Sequence, residues 1–286
     1  MHSQLSPHRA VRADLSGPYG PIGALRIRGE GPIALLVPGC TGSKEDFAPL
    51  LDPIADAGFD VVAIDLPGHQ DSPGPADEAS YLPAPLGQVV AELVGKLAAD
   101  GRPVVLMGHS YGGLVSRRAV LAGAEIVGLT LLSSGPGELP SGGRRAVLEL
   151  AEPILHQHGI GPTHDVLEKL NASNPRWQNV PAEQRVFLRD RFLRNSVAAL
   201  VGMGTGLRGE PDLVGDLARS LRARGTSCLV ACGADDDAWS PSAQRDMADR
   251  LEADFSMIAG AAHSPATENP AELLATLLPT WKTWLA

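Results

Sequence analysis

A serine, a histidine and a group of aspartates occur in an order that suits nucleophilic catalysis. The pattern G-x-S-x-G occupies residues 108–112, with Ser110 at its centre. An apolar run over 104–107 precedes it and a helical pattern begins at Leu114, so we predict a sharp strand-to-helix turn that exposes the serine hydroxyl. Only small neighbours fit such a bend, and the two glycines meet this need. Because a serine hydroxyl is a poor nucleophile at neutral pH, it needs a base and an orienting carboxylate.

A histidine that can act as the base lies near the end of the chain. His263 follows a predicted strand over 255–258 and a segment of small residues that includes a glycine, and it precedes the last helical pattern. Of the eight histidines, His263 alone combines a strand end, a loop position and a place after the serine. Imidazole changes its protonation state near neutral pH, so it can accept a proton and return it. We predict that His263 is the base for Ser110.

The orienting carboxylate is expected in the loop after a predicted strand over 228–232. Three consecutive aspartates follow Gly233 there. Asp236, three residues after the glycine, has the usual offset and is our first choice; Asp237 is the second and Asp235 the third. The other two aspartates would belong to a solvated loop or cap the following helix.

Backbone N–H groups must also face the carbonyl oxygen that becomes negatively charged during acyl transfer. The N–H of Tyr111, directly after the serine, is one predicted donor. The second is expected from the loop over 38–43, which follows a predicted strand over 33–37. The backbone of Cys40 is the best candidate there and Thr41 is the alternative. Nothing in the sequence pairs the Cys40 thiol with a base, so we do not expect it to be a nucleophile.

The elements that position these residues alternate between strands and helices. Short, nearly continuous apolar runs are typical of strands covered on both faces of a parallel sheet, which predicts an α/β fold. The predicted strands are 33–37, 61–64, 104–107, 127–132, 228–232 and 255–258, with a further edge strand over 25–28. The predicted helices between and after them are 47–57, 86–99, 114–122, 242–251 and 270–284.

The alternation stops after residue 132 and helical patterns replace it. We therefore predict an α/β core formed by residues 1–134 and 210–286 and a helical cap formed by 135–209, because the segment is far longer than an ordinary connection. The predicted helices there are 144–156, 165–171 and 182–203, and another over 211–224 returns the chain to the sheet. Apolar cap residues that would line a pocket or pack the cap onto the core are Leu150, Ile154, Leu155, Phe187, Phe192, Leu193 and Leu200.

The composition of the chain limits which partners and which cellular location we expect. The chain has 286 residues, a formal net charge of −9 and no run of Lys and Arg, so nucleic acid and anionic membranes are not expected partners. No apolar stretch reaches the roughly 18 residues of a membrane span, and residues 1–17 lack the apolar centre of a secretory signal. Three cysteines predict no disulfide framework, and we expect a cytoplasmic protein.

Five motifs in order make the chain resemble the α/β-hydrolase fold superfamily, in its cap-containing branch. They are PGCTGS at 38–43, DLPGH at 65–69, GHSYGG at 108–113, GADDDAWSP at 233–241 and AHSPATENP at 262–270. The resemblance implies an eight-stranded, mostly parallel sheet flanked by helices, with an inserted helical cap, and a Ser-His-Asp triad. Many relatives have His-Gly where this chain has Pro38-Gly39, which leaves the backbone donor in place. The serine at the elbow argues against the branches whose nucleophile is aspartate.

The function expected from these residues is hydrolysis of a small or medium carboxylic ester, lactone or thioester through an acyl-enzyme on Ser110. The substrate would be a small molecule with an apolar portion, and Trp239 and Thr41 are expected to contact it. No cofactor or metal is required for this chemistry. Two alternatives remain open: a specialised reaction of the same triad, such as C–C bond hydrolysis, acyl transfer or a cyclase or lyase step, and a ligand receptor without catalytic activity.

Overall fold

The centre of the molecule is an eight-stranded sheet. It is described from a computed structural model that covers residues 2–286, apart from the side chains of residues 175 and 176. The strand order is β1-β2-β4-β3-β5-β6-β7-β8, and every pairing from β4 to β8 is parallel, which confirms the predicted mostly parallel sheet. The strands are β1 (Val11–Gly17), β2 (Gly20–Ile27), β3 (Ile33–Val37), β4 (Asp60–Ile64), β5 (Val104–His109), β6 (Gly128–Leu132), β7 (Ser227–Gly233) and β8 (Asp254–Ile258).

Helices cover both faces of this sheet and fill the long connection between β6 and β7. They are α1 (Ala48–Asp56), α2 (Pro83–Leu97), α3 (Tyr111–Leu121), α4 (Gly143–His158), α5 (Ile160–Asn171), α6 (Pro175–Gln178), α7 (Ala182–Leu193), α8 (Val197–Gly209), α9 (Val214–Arg224), α10 (Pro241–Leu251), α11 (Pro265–Glu268) and α12 (Pro270–Trp284).

The central strands bury both faces because successive side chains point to opposite sides of a sheet. In β3, Leu35 belongs to the apolar core that contains α2, α3, α9 and α10. Its neighbours Ala34 and Leu36 belong to the opposite core, which contains α1 and α12. All five residues of β3 are buried, as its continuous apolar run predicts. The parallel strands therefore direct their carboxyl ends, and the loops that follow them, to one edge of the sheet.

The N-terminal edge differs from the sequence prediction. The expected edge strand over 25–28 is the end of β2, which pairs with β4 on one side and with β1 on the other. Strand β1 forms the edge, and its residues are exposed or half-buried. It alternates polar and apolar residues without a buried run, so it lacks the signal by which the inner strands are recognised.

The segment between β6 and β7 is helical, as the sequence predicts. The single helix expected over 182–203 is two helices, α7 and α8, with a break before Ser196. The Ser196 hydroxyl accepts a hydrogen bond from the N–H of Ala199 at 3.0 Å and so caps α8. The helix expected from Pro211 begins at Val214 instead. The term "insertion" denotes residues 135–209 below.

Both chain crossings between the sheet and the insertion are held by helix α3. Arg117, which is almost fully buried, donates hydrogen bonds to the carbonyl oxygen of Pro136 at the first crossing. It also donates to the carboxylate of Glu210 at 3.0 Å and the carbonyl oxygen of Pro211 at 3.4 Å, at the second crossing. Helix α3 begins directly after Ser110, so the insertion is attached to the element that carries the candidate nucleophile. Within residues 2–286, no helix has the length and apolar character that a membrane span requires.

Candidate active site

Ser110 occupies a strained turn between β5 and α3. Its backbone angles, φ 55° and ψ −120°, lie in a region that residues with a side chain rarely adopt. A Cβ atom added to Gly108 would overlap the backbone of Gly112. One added to Gly112 would overlap the backbone oxygens of Val37 and Pro38. The glycines therefore allow the turn to pack against the end of β3, where the predicted oxyanion loop begins.

A continuous chain of hydrogen bonds joins Ser110, His263 and Asp236. The Nε2 atom of His263 lies 3.0 Å from the Oγ atom of Ser110. Its Nδ1 atom lies 2.9 Å from Oδ1 of Asp236. Because an ionised carboxylate can only accept, Nδ1 is assigned the proton, and the lone pair of Nε2 faces the serine hydroxyl. The structure thus brings together the three side chains predicted to form a triad, from loops after β5, β7 and β8.

Asp236 is held in its ionised form by several donors. Burial acts to raise its pKa, but the interactions with His263, including the charge of that ring when protonated, together with the hydrogen bonds from Ala238 and Gln244 outweigh burial and hold the pKa below its ordinary value. The N–H of Ala238 donates to Oδ1 at 3.0 Å, and the side-chain amide of Gln244 donates to Oδ2 at 2.9 Å. Gln244 is fully buried in α10 and was not found from the sequence, since a lone glutamine in a helix has no distinguishing pattern.

The other two aspartates have different environments. The carboxylate of Asp237 forms an ion pair with Arg144 of α4 at 2.7 Å. Burial acts to raise the pKa of Asp237, and Arg144 outweighs it and lowers the pKa. The side chain of Asp235 is exposed, and its N–H donates to the carbonyl oxygen of Ala261. Of the three aspartates, the first choice from the sequence is the one that contacts the imidazole.

The loop that carries His263 is held on both sides. One carboxylate oxygen of Glu268 accepts the N–H groups of Ala262 at 2.7 Å and Ser264 at 3.1 Å. From below, Nε2 of His109 lies 2.7 Å from the carbonyl oxygen of His263. Burial, together with repulsion from the His263 ring when it is protonated, lowers the pKa of His109 to about 4, so the His109 ring is neutral at pH 7 and donates this hydrogen bond through Nε2–H. The role of Glu268 was not predicted, although it lies within the motif at 262–270.

The loop over 38–43, called the oxyanion loop below, lies directly against the serine. A Cβ atom on Gly39 would be 3.0 Å from the Cβ of Ser110. Among the backbone hydrogen bonds of the described residues, none uses the N–H of Cys40 or Tyr111. The first N–H of a helix has no acceptor within that helix, which explains the free donor of Tyr111 at the start of α3. Thr41 adopts a positive φ of 60°, which a residue with a branched side chain rarely does.

The Cys40 thiol is protonated at neutral pH. Burial raises its pKa to about 12. A protonated thiol is a weak nucleophile, and no base among the residues that the structure describes forms a hydrogen bond with it. The role of the Cys40 backbone as an oxyanion donor stays a prediction.

A cavity of about 740 Å³ opens at Ser110 and extends between the core and the insertion. Cys40, Thr41, Trp239 and His263 line it from the core side. The insertion lines it with both apolar and polar side chains. The apolar ones include Leu148, Leu155, Leu167, Phe192, Leu200 and Val201. Three of the apolar residues singled out in the sequence, Leu155, Phe192 and Leu200, therefore face the cavity. Two others, Leu150 and Leu193, are exposed.

Trp239, which the sequence predicts to contact the substrate, lies at the wall of the cavity. It is only 2% exposed because its ring packs against Gly135 at the start of the insertion. Its Nε1–H donates to the carbonyl oxygen of Glu138 at 3.1 Å. The residues described contain no cluster of three or more His, Cys, Asp and Glu side chains suited to a metal ion.

A model of the alpha/beta hydrolase family matches residues 34–276. A search of curated protein sequences finds no significant match. Among solved structures, a thermophilic esterase from Thermogutta terrifontis is 22% identical, with 98% of this chain and 100% of that chain covered and a TM-score of 0.74. A carboxylesterase structure from Nitrososphaera gargenis is 19% identical, with 96% of this chain and 99% of that chain covered and a TM-score of 0.74. The N-acyl homoserine lactonase AidH is 22% identical, with 96% of this chain and 97% of that chain covered and a TM-score of 0.71. These proteins share the fold of this chain.

Proposed function

The chain belongs to the alpha/beta hydrolase family, and on that premise we propose that it is a serine hydrolase acting on a small or medium carboxylic ester, lactone or thioester. The observation that carries the proposal is the hydrogen-bonded series Ser110, His263 and Asp236, at 3.0 and 2.9 Å, beside the free N–H groups of Cys40 and Tyr111. These are the nucleophile, base, orienting acid and oxyanion donors of acyl transfer.

In the first half of the reaction, Oγ of Ser110 attacks the carbonyl carbon while His263 takes the hydroxyl proton at Nε2. Negative charge forms on the carbonyl oxygen, and the N–H groups of Cys40 and Tyr111 stabilise it. Asp236 stabilises the imidazolium and keeps its orientation. The bond to the leaving oxygen or sulfur then breaks, and His263 gives its proton to the leaving group. An acyl-enzyme on Ser110 remains.

In the second half, water replaces the leaving group. His263 takes a proton from the water as its oxygen attacks the acyl carbon, and the same two N–H groups stabilise the second tetrahedral intermediate. The bond between the acyl carbon and Oγ breaks, the proton returns to Ser110, and the carboxylic acid leaves. No group other than water and these side chains is needed to balance the reaction.

The insertion is proposed to act as a cap that bounds the substrate. Residues 135–209 supply most of the apolar side chains around the cavity of about 740 Å³, which is within the usual range for small-molecule sites. An acyl group or alcohol with an apolar portion would fit among Leu148, Leu155 and Phe192. Trp239 and Thr41 are proposed to contact the substrate near the serine.

A panel of p-nitrophenyl esters from acetate to decanoate tests the proposed reaction. We expect turnover of at least one ester by the wild-type protein, with a burst of p-nitrophenol when deacylation is slow. The Ser110→Ala variant, which removes only the nucleophilic oxygen, should lose the burst and nearly all turnover. If the wild-type protein turns over no ester although Ser110 reacts with a fluorophosphonate, a specialised reaction of the triad is favoured. If Ser110 does not react either, the receptor alternative is favoured.

A further inference from the structure

Asp46 lies at a junction between the oxyanion loop and two other parts of the chain. It stands in the short helical turn over 44–47, directly after the loop. Its Oδ2 atom accepts the N–H of Ser43 at 3.1 Å. A Cβ atom on Gly42 would lie 2.6 Å from the same oxygen. The carboxylate is therefore in close contact with the loop that presents the N–H of Cys40.

The other carboxylate oxygen binds the insertion and the N-terminal segment. Oδ1 of Asp46 accepts from Nη1 of Arg191, in α7, at 2.6 Å. It also accepts from the side-chain amide of Gln4 at 3.0 Å, and the amide of Gln184, also in α7, donates to Gln4 at 2.9 Å. The Arg191 guanidinium lies over the ring of Phe187 at 5.7 Å, which limits its orientations. Three segments distant in sequence thus meet at one carboxylate.

This ion pair is largely shielded from water. The side chains of Arg191 and Asp46 are 11% and 16% exposed, so solvent screens their attraction less than it does for a surface pair. Burial acts to raise the pKa of Asp46, and Arg191 together with Gln4 outweighs burial and lowers it. Asp46 is therefore ionised at neutral pH and can accept all of these hydrogen bonds.

We propose that Asp46 is a positioning residue that couples helix α7 and the N-terminal segment to the oxyanion loop. The inference rests on the proposed function, because it concerns the donors that stabilise the oxyanion. Backbone N–H groups stabilise that charge only when they are aimed at it, and a misplacement of about 1 Å can cost on the order of 100-fold in rate. When Arg191 binds Asp46, the loop end at Ser43 is held against the core. The hydrolase is then fully active only while α7 is docked.

The test compares Asp46→Asn and Arg191→Gln with Asp52→Asn as the matched control. Asp52, in α1, binds Arg9 of the N-terminal segment, and no hydrogen bond or ion pair among the described residues joins it to the oxyanion loop. The measurements are kcat and KM for the best p-nitrophenyl ester, the Kd of phenylboronic acid and the rate of fluorophosphonate labelling. For Asp46→Asn and Arg191→Gln we expect kcat and the labelling rate to fall by about 10-fold to 100-fold with KM changed little. The Kd of phenylboronic acid should rise by a similar factor in both variants.

Asp52→Asn should match the wild type in all four measurements. The double variant Asp46→Asn/Arg191→Gln should be no slower than the slower single variant, because both remove one interaction. Arg191→Lys, which keeps the charge, should restore part of the rate. The proposal is overturned if both single variants stay within two-fold of the wild type in kcat and labelling, or if boronic acid binds them unchanged. Failure of the proposed function is a different result: the wild-type protein itself then neither labels nor hydrolyses.

Discussion

At the scale of single residues, the geometry of the site depends on individual side chains: on which aspartate contacts the imidazole, and on glycines that leave no room for a methyl group. Asp236 and Asp237 are neighbours, yet one lies 2.9 Å from the imidazole and the other pairs with Arg144. The difference arises because the loop turns after Gly233, where the N–H of Asp236 donates to the carbonyl oxygen of Gly233. The two side chains therefore leave the loop in different directions.

Asp236→Asn should lower kcat by about 10⁴-fold, because an amide at this position favours the wrong imidazole tautomer. Asp237→Asn removes an ion pair between partly exposed groups, and it should keep kcat within a few-fold of the wild type. Steady-state hydrolysis of a p-nitrophenyl ester measures both. A nearly normal rate for Asp236→Asn together with an inactive Asp237→Asn would show that the acid is Asp237.

Gly112→Ala should both destabilise the protein and slow hydrolysis, because the added methyl group would overlap the backbone oxygens of Val37 and Pro38. The loop over 38–43 must then shift away from Ser110. Gly95→Ala is the matched control: a Cβ atom there meets nothing within 4 Å, on an exposed face of α2. We expect this control to gain about 0.5–1 kcal/mol of stability from helix propensity and to keep full activity. Equal melting temperatures and rates for the two variants would contradict this account of the turn.

At the scale of elements, the sequence predicts best where a single physical signal dominates. The buried strands over 33–37 and 104–107 are continuous apolar runs, and β3 and β5 begin at the predicted residues. Strand β1 has no such run, so it was missed. The helix predicted over 182–203 contains apolar residues on both sides of Ser196, so its pattern does not indicate a break. The break is marked by the Ser196 hydroxyl, which caps α8. Capping is a local hydrogen bond that periodicity does not detect.

The same limit applies to the site. Ser110, His263 and Asp236 follow strand ends, and a parallel sheet brings such ends to one edge, so their meeting could be predicted. Gln244 lies within a helix and Glu268 at the end of one, and both act on a loop by hydrogen bonding. Their partners depend on how the helices pack, which the sequence of one loop does not reveal.

Replacing Arg117 should weaken the attachment of the insertion to helix α3. Arg117→Met removes donors from Pro136 and Pro211 and leaves the buried Glu210 with Arg118 as its remaining cation. Breaking a buried ion pair in this way typically costs about 3–5 kcal/mol, and the second arginine should place this variant at the lower end. Hydrogen exchange of the segments 135–139 and 207–212, followed by mass spectrometry, should be faster than in the wild type.

Arg219→Met serves as the control for that exchange measurement. Arg219 pairs with Asp216 at the exposed surface of α9, where ion pairs contribute little. We expect unchanged exchange at both crossings in this control. If Arg117→Met also leaves exchange and unfolding free energy unchanged, the attachment of the insertion to α3 is weaker than its contacts indicate.

At the scale of the whole molecule, an apolar core on each face of the sheet supports the loops that follow the carboxyl ends of the parallel strands. The insertion adds a second wall above these loops and is attached at both crossings. Charges that develop beside buried groups interact more strongly with fixed donors than charges in bulk water do. The molecule also contains buried groups whose titration affects its overall stability.

Stability should decrease as the pH falls below about 6.5, in part because of His69. Burial lowers the pKa of His69 to about 4 in the folded protein. The unfolded chain takes up a proton near pH 6.5 while the folded protein does so only near 4, so the free energy of unfolding falls across this interval as the pH is lowered. At about 1.4 kcal/mol per pKa unit, His69 contributes a loss of about 3 kcal/mol at most.

Urea unfolding at several pH values from 7 to 4 measures this loss. His69→Gln keeps a donor for the carbonyl oxygen of Pro67 but does not titrate, so its stability should depend less on pH than that of the wild type. His158→Gln, at an exposed position, should retain the wild-type dependence. Identical slopes for His69→Gln and the wild type would show that His69 is not the group responsible.

The most direct test of the central claim, that His263 and Asp236 activate Ser110 for nucleophilic attack, is labelling with a fluorophosphonate followed by intact-mass and peptide mass spectrometry. The account predicts a single adduct on Ser110 of the folded wild-type protein and none at that position in Ser110→Ala. In His263→Ala, labelling should slow by several orders of magnitude because the base is lost. A folded wild-type protein without an adduct, or with its adduct on another residue, would contradict the account.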